Sequence, residues 1–224
     1  MATKTLTSKA FIFDLDGTLI DTTPLVVKYW TNFALEHNLD PEQILATSHG
    51  RRTIETLERW TPELATVDYV NKFEGGLAKE TEGVTVLPGV LDLLKSIPTE
   101  DWTVNTAGTI TMAVSRLSQF NIHVPKEMAT GDKLTFGKPH PEGYLLAAKI
   151  LRKEPKDCLV FEDAPAGVQA AIAAGMECIA CTTTHTVDQL REAGATVIVE
   201  RLDSVHIERQ SDGSYKTVIS NTIE

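Results

Sequence analysis

Asp14 and Asp16 stand two residues apart in the string Phe11 to Thr22, FIFDLDGTLIDT, where an apolar run meets a Gly17-Thr18 turn. Residues two apart on a strand point to the same side, so both carboxylates leave the sheet edge together. Held that close, they raise one another's pKa unless a cation neutralises them. One protonable carboxylate beside another is an arrangement for acid and base catalysis. Asp and Gly also favour ordinary turns, so the pair draws its meaning from three further segments.

Thr106 ends the strand pattern DWTVNT and is followed by Ala107-Gly108-Thr109, a turn whose hydroxyl and N–H groups suit a phosphoryl oxygen, although helix capping is the commoner use. Gly137-Lys138-Pro139 and Pro141 form a stiff loop that restricts the Lys138 ammonium, where an unconstrained lysine would be solvated. His140 lies in the same loop and is expected to pack or hydrogen-bond there. LVFEDAPAGVQAA delivers Glu162 and Asp163 to a strand end before a helix near Pro165. Such acids can simply cap a helix. Two more carboxylates arriving beside Asp14 and Asp16, however, are prohibitively repulsive without a cation, and hard oxygen ligands suit octahedral Mg2+.

These four segments, in this order, resemble the motifs of the haloacid dehalogenase superfamily. The resemblance implies Asp14 as nucleophile, Asp16 as acid and base, Thr106 with the N–H groups of Ala107 and Gly108 as phosphate ligands, and Lys138 in contact with both phosphate and nucleophile. It assigns the metal to Asp14, the Asp16 carbonyl and Asp163, with Glu162 binding directly or through water. Thr18 is expected to order the turn and line the substrate site. The presence of Asp16 favours phosphate esters over dehalogenation, and Leu15 replaces the lysine of ion-pumping relatives. His49-Gly50-Arg51-Arg52-Thr53 is similar to a segment of fungal glycerol-phosphate and 2-deoxyglucose-6-phosphate phosphatases. That similarity implies a small phosphorylated polyol or sugar as substrate, glycerol phosphate foremost, with His49, Gly50, Arg51 and Arg52 near it. A phosphosugar mutase and a non-catalytic phospholigand-binding protein are the alternatives. Ala107 stands where such relatives often carry Ser, and Asn105 on a buried strand must find hydrogen-bond partners.

The elements that must position these groups alternate between strand and helix. Strand patterns at 9–14, 101–106, 157–161, 177–182 and 196–199 are separated by helical patterns at 91–96, 110–120, 141–153 and 165–174. This alternation predicts an α/β fold, a doubly wound parallel sheet of Rossmann-like, haloacid dehalogenase type. Residues 22–86 lack a convincing buried strand and read as an inserted helical cap domain, with 1–21 and 87–224 as the catalytic core. Four helices are expected in the cap, the last threatened by Gly75-Gly76. Asp212-Gly213 predicts a hairpin near the end of the chain.

Thirty-one acidic residues against 21 basic ones give a net charge of −10, which disfavours nucleic acid as a partner. No segment has the length and apolarity of a signal peptide or membrane span, so a cytoplasmic protein is expected, a monomer or weak homo-oligomer acting on a small phosphorylated substrate. Of three cysteines, Cys178 and Cys181 form a Cys-x-x-Cys pair in ECIAC, a buried-strand pattern that argues against redox use.

Overall fold

The computed structural model describes residues 2–223. In chain order the elements are β1 (Ala2–Ser8), β2 (Ala10–Phe13), β3 (Ile20–Asp21), α1 (Thr23–Glu36), α2 (Pro41–Ser48), α3 (Thr53–Trp60) and α4 (Val67–Leu77). There follow β4 (Thr85–Val86), α5 (Val90–Lys95), β5 (Trp102–Thr106), α6 (Ile110–Gln119), β6 (Ala129–Thr130) and α7 (Glu142–Leu151). The chain continues with β7 (Cys158–Glu162), α8 (Pro165–Ala173), β8 (Glu177–Cys181), α9 (Val187–Glu192), β9 (Val197–Val199), β10 (Val205–Arg209) and β11 (Tyr215–Thr222).

Six parallel strands form the central sheet in the order β6-β5-β2-β7-β8-β9. As the inner strand, β2 is apolar and fully buried over all four residues, which is what a sheet covered on both faces requires. Its period of two divides the core. Phe11 and Phe13 join Trp102, Leu159 and Phe161 on one face, while Ala10 and Ile12 join Cys158 and Val160 on the other. Phe13 and Phe161 stack at 4.7 Å between ring centroids. Each such ring contributes roughly 2 kcal/mol by leaving water. The second face is lined by Ala147, Ala148, Ala170 and Ala171 of α7 and α8, small side chains that bring those helices close to the strands.

Cys178 and Cys181 fall on opposite faces, as three-residue spacing on a strand dictates, and both are buried free thiols. The strand expected at 9–14 is shorter, and Ala2–Ser8 forms a separate strand that the sequence reading did not anticipate. It pairs with β11, whose hairpin with β10 turns at Gly213, making a three-stranded antiparallel sheet in the order β1-β11-β10. Only Leu6 and Ser8 of its side chains from Thr3 onward are buried, so its apolar signal is weak.

Helices α1 to α4 occupy the insertion. They share a small core of Trp30, Phe33, Ala34, Ile44, Leu57 and Val70, while Leu25 and Leu77 at their roots belong to the main core. The chain leaves and re-enters through the β3-β4 ribbon, Ile20 opposite Val86 and Asp21 opposite Thr85. Gly75-Gly76 does not break α4, which continues to Leu77. Its final carbonyls are satisfied from α6: Arg116 donates to Leu77 O at 2.7 Å and Glu80 O at 2.6 Å, and Ser115 Oγ to Ala78 O at 2.7 Å. Completing the helix end in this way offsets the cost of two helical glycines, about 1 kcal/mol each.

Candidate active site

The carboxyl end of β2 carries the chain straight into Asp14, whose N–H extends the ladder by donating to Phe161 O at 2.9 Å. The loop then tightens through Leu19 and Ile20 N–H bonds to Leu15 O. Gly17 sits at φ +95, and a Cβ there would collide with the Asp163 carboxylate, so both backbone freedom and lack of a side chain are needed. Thr18, expected to face substrate, is fully buried and donates to Asp163 Oδ1 at 3.2 Å instead. Asp16 Oδ1 accepts from Thr22 Oγ1 at 2.8 Å.

Lys138 comes in from the loop before α7 and lies buried, its Nζ 2.5 Å from Asp14 Oδ1 and 2.5 Å from Glu162 Oε1. Glu162 has little capacity left. Oε1 also accepts from Tyr144 OH at 2.7 Å, and Oε2 accepts from the N–H groups of Asp163 at 2.9 Å and Ala164 at 3.1 Å. The approach of Glu162 to α8 requires Gly167, where a Cβ would strike its carboxylate. Asp163 Oδ2 accepts from Thr184 Oγ1, a residue in the loop after β8.

Electrostatics follow from burial. Desolvation pushes the Asp14 carboxyl well above its ordinary value, and the charges of Glu162 and Asp163 push it further, against Lys138. Asp163 is raised for the same reasons, burial first and Glu162 next, with Thr184, Lys138 and Thr18 opposing. Burial would pull the Lys138 ammonium down, but Asp14 and Glu162 outweigh it and hold it above its ordinary value. Asp16 is also raised by burial, with Thr22, Arg116, Lys138 and Thr106 pulling the other way. Asp14, Glu162 and Asp163 present oxygens within 4.8 Å of one another. Three buried carboxylates facing one ammonium leave excess negative charge, and this donor set fits a hard divalent cation. Hydrogen-bond capacity favours Asp14 and Asp163 as direct ligands, because each Glu162 oxygen already accepts two hydrogen bonds whereas the Asp14 and Asp163 oxygens accept at most one each.

A cleft opens above these groups between the sheet end and the insertion. Asp14, Asp16, Thr106, Ala107, Gly108 and Asp163 line it from the core. His49, Gly50 and Arg51 line it from the insertion. Thr106 Oγ1 accepts from Gly108 N–H at 3.1 Å and so shapes the turn, and Gly131 lies so close that a Cβ would strike Ala107 O. The His49 ring is 6.2 Å from that of His185, and burial holds both imidazoles below their ordinary value.

Arg52, expected beside substrate, is engaged elsewhere. Its guanidinium donates to Leu134 O at 2.6 Å, to Thr135 O at 2.9 Å and to Glu55 Oε1 at 2.7 Å, tying α3 to the loop after β6. Asn105 is buried, yet neither atom of its carboxamide has a hydrogen-bond partner among the described residues, and it packs against Gly143. His140 packs on Phe136 at 4.8 Å and accepts from Glu142 N–H at 3.3 Å, a loop contact.

A model of the haloacid dehalogenase-like hydrolases matches residues 8–175. The chain belongs to this family. It is 36% identical to hexitol phosphatase A of Escherichia coli over 92% of this chain and 96% of that one. It is also 36% identical to glycerol-1-phosphate phosphohydrolase 2 of Saccharomyces cerevisiae, over 92% and 88%. A hydrolase from Pseudomonas syringae superposes with a TM-score of 0.76 at 29% identity, covering 87% of this chain and 94% of that one. Among the described residues, no helix is long and apolar enough to cross a membrane.

Sequence reasoning missed Tyr144, Thr184, Ser48 and Glu74. Tyr144 lay inside the GKPHPEGY segment without a pattern to mark it. Thr184 follows a parallel strand adjacent to β7, and the general placement of ligands at carboxyl strand ends points to such a loop. Glu74 had a readable signal: it shares the buried stripe of α4 with Val70 and Leu77, a carboxylate at helical spacing on an apolar face.

Proposed function

We propose that this hydrolase is a magnesium-dependent phosphomonoesterase that works through a phosphoaspartate on a small phosphorylated polyol or sugar, with glycerol phosphate the first candidate. The observation that carries the reading is Asp14, buried at the floor of the cleft, fixed by Lys138 at 2.5 Å and sharing that cleft with Asp16. The hexitol and glycerol phosphate activities in the relatives' names support the substrate class.

Lys138 holds Asp14 Oδ1, leaving the second oxygen to form a bond to phosphorus. As the ester P–O bond breaks, Asp16 gives its proton to the departing oxygen. Burial raises Asp16, which favours keeping that proton until it is needed. Ionised Asp16 then takes a proton from the water that attacks phosphorus, releasing phosphate and restoring Asp14. The Lys138 ammonium and the Ala107 N–H stabilise charge on the phosphoryl oxygens, the Gly108 N–H being spent on Thr106 Oγ1. Asp14 and Asp163, with the Asp16 carbonyl, would hold Mg2+, which supplies further neutralisation of that charge.

Phosphate release from glycerol phosphates, hexitol phosphates, hexose 6-phosphates and nucleotides, with Mg2+ and with chelator, tests this reading. The expected result is Mg2+-dependent release that favours the first two classes and is abolished by Asp14→Asn. An unchanged rate in that variant excludes Asp14 as nucleophile, and isomerisation without free phosphate selects a mutase.

A further inference from the structure

Two polar groups on the wall of the cleft have no part in the chemistry derived above. Ser48 ends α2 and is only 5% exposed, yet its Oγ has no hydrogen-bond partner among the described residues. Glu74 is 3% exposed on the buried stripe of α4. Its Oε1 accepts from Thr53 Oγ1 at 2.7 Å and its Oε2 from the Thr109 N–H at 2.7 Å. A carboxylate offers about four acceptor sites, so roughly two remain. Both residues line the cleft that Asp14 and Asp16 enter, and the surrounding wall is largely apolar, formed by Val26, Tyr29, Trp30 and Phe73.

An apolar cleft with a few convergent polar groups orients a ligand through those groups. A buried hydroxyl without a partner is costly, and it becomes satisfied when a ligand brings a donor or acceptor to it. Glu74 can only accept while ionised, so it welcomes hydroxyl donors and repels a second anion. Arg51 lines the same cleft, but it is exposed, and solvent weakens its opposing charge.

We propose that Ser48 and Glu74 select the leaving group, hydrogen-bonding the hydroxyls of a phosphorylated polyol or neutral sugar while Glu74 excludes phosphate esters that carry a second anionic group. The assignment rests on the phosphatase reading and narrows it to uncharged, hydroxyl-bearing leaving groups.

The test compares kcat/KM of the full chain for glycerol phosphate, 4-nitrophenyl phosphate, which lacks aliphatic hydroxyls, and phosphoglycolate, which adds a carboxylate. Ser48→Ala removes one hydroxyl. Glu74→Gln removes the charge, and its amide can still accept from Thr109 N–H while donating to Thr53 Oγ1. Ratios taken within one variant cancel any loss of folded enzyme. Each variant is expected to lower the glycerol phosphate to 4-nitrophenyl phosphate ratio about 10-fold, the scale of one lost hydrogen bond. Glu74→Gln is also expected to raise the phosphoglycolate to glycerol phosphate ratio about 10-fold. If both variants change all three substrates in proportion, the selection by Ser48 and Glu74 is overturned and the phosphatase reading stands. If the unsubstituted protein releases phosphate from none of the three, the phosphatase reading falls and the selection falls with it.

Discussion

The Lys138 ammonium lies as close to Glu162 as to Asp14, 2.5 Å from each, so one cation holds together the ends of two adjacent strands. Removing it leaves Asp14, Glu162 and Asp163 buried together without that neutralising charge. Breaking a buried pair by deleting one partner costs about 3–5 kcal/mol. Lys138→Met is therefore expected to lower unfolding free energy by that amount in chelator, with Mg2+ recovering part of it. Urea unfolding with and without Mg2+ measures both, and equal stability of the two proteins would show that the ammonium does not neutralise the cluster.

Asp16 has two duties in the proposed reaction, and leaving groups of different basicity separate them. An aliphatic alkoxide needs its proton, whereas 4-nitrophenolate departs without one. Asp16→Asn should therefore slow glycerol phosphate turnover by roughly 10²–10⁴. With 4-nitrophenyl phosphate it should still give a burst of nitrophenolate matching the enzyme concentration, followed by slow turnover as the phosphoaspartate waits for a base. Rapid-mixing absorbance records the burst. Its absence, with both substrates slowed equally, would remove Asp16 from the protonation step.

The placement of acidic groups at the strand ends was legible because it rests on local rules. Two-residue spacing aims Asp14 and Asp16 together, and the periodicity of the apolar runs anticipates the parallel sheet that carries them. What stayed hidden depends on long side chains choosing partners across the fold. Arg52 was read as a cation for substrate, but three groups on two separate segments were there to take its guanidinium. Thr18 looked like a substrate contact and is turned inward to Asp163. The strand Ala2–Ser8 could not be read because its register is imposed by β11, more than 200 residues later, and not by an apolar alternation of its own.

Arg116 is fully buried in α6, yet it reaches out of the core to the end of α4. Its guanidinium caps carbonyls at the point where the insertion returns to the sheet, including Glu80 O at 2.6 Å. Arg116→Met keeps much of the packing volume and leaves Glu80 O without a donor, which costs about 1–3 kcal/mol for a buried group, while Leu77 O keeps only the Glu80 N–H at 3.1 Å. The expected outcome is a loss of about 1–3 kcal/mol in urea unfolding, with faster limited proteolysis of residues 77–84. Cleavage elsewhere at an unchanged rate in that segment would show that α4 is held by other contacts.

Glu74 supplies a pH test that needs no substrate. Burial raises its carboxyl above the ordinary 4.5, overriding the hydrogen bonds from Thr53 and Thr109, and the like charge of Asp16 adds to the shift. Asp14 and Asp163 face the same cleft as further negative groups, with His49 and Arg51 on its other wall. A raised folded-state value means that the native protein holds this proton more tightly than the unfolded chain. The contribution is therefore present below about 4.5 and is lost as pH rises through the folded-state value. Glu74→Gln has no such proton. The stability of the unsubstituted protein minus that of Glu74→Gln, from urea unfolding at successive pH values in chelator, should thus be largest in acid and decline as pH rises. A difference that instead grows with pH would mean that the two donors outweigh burial.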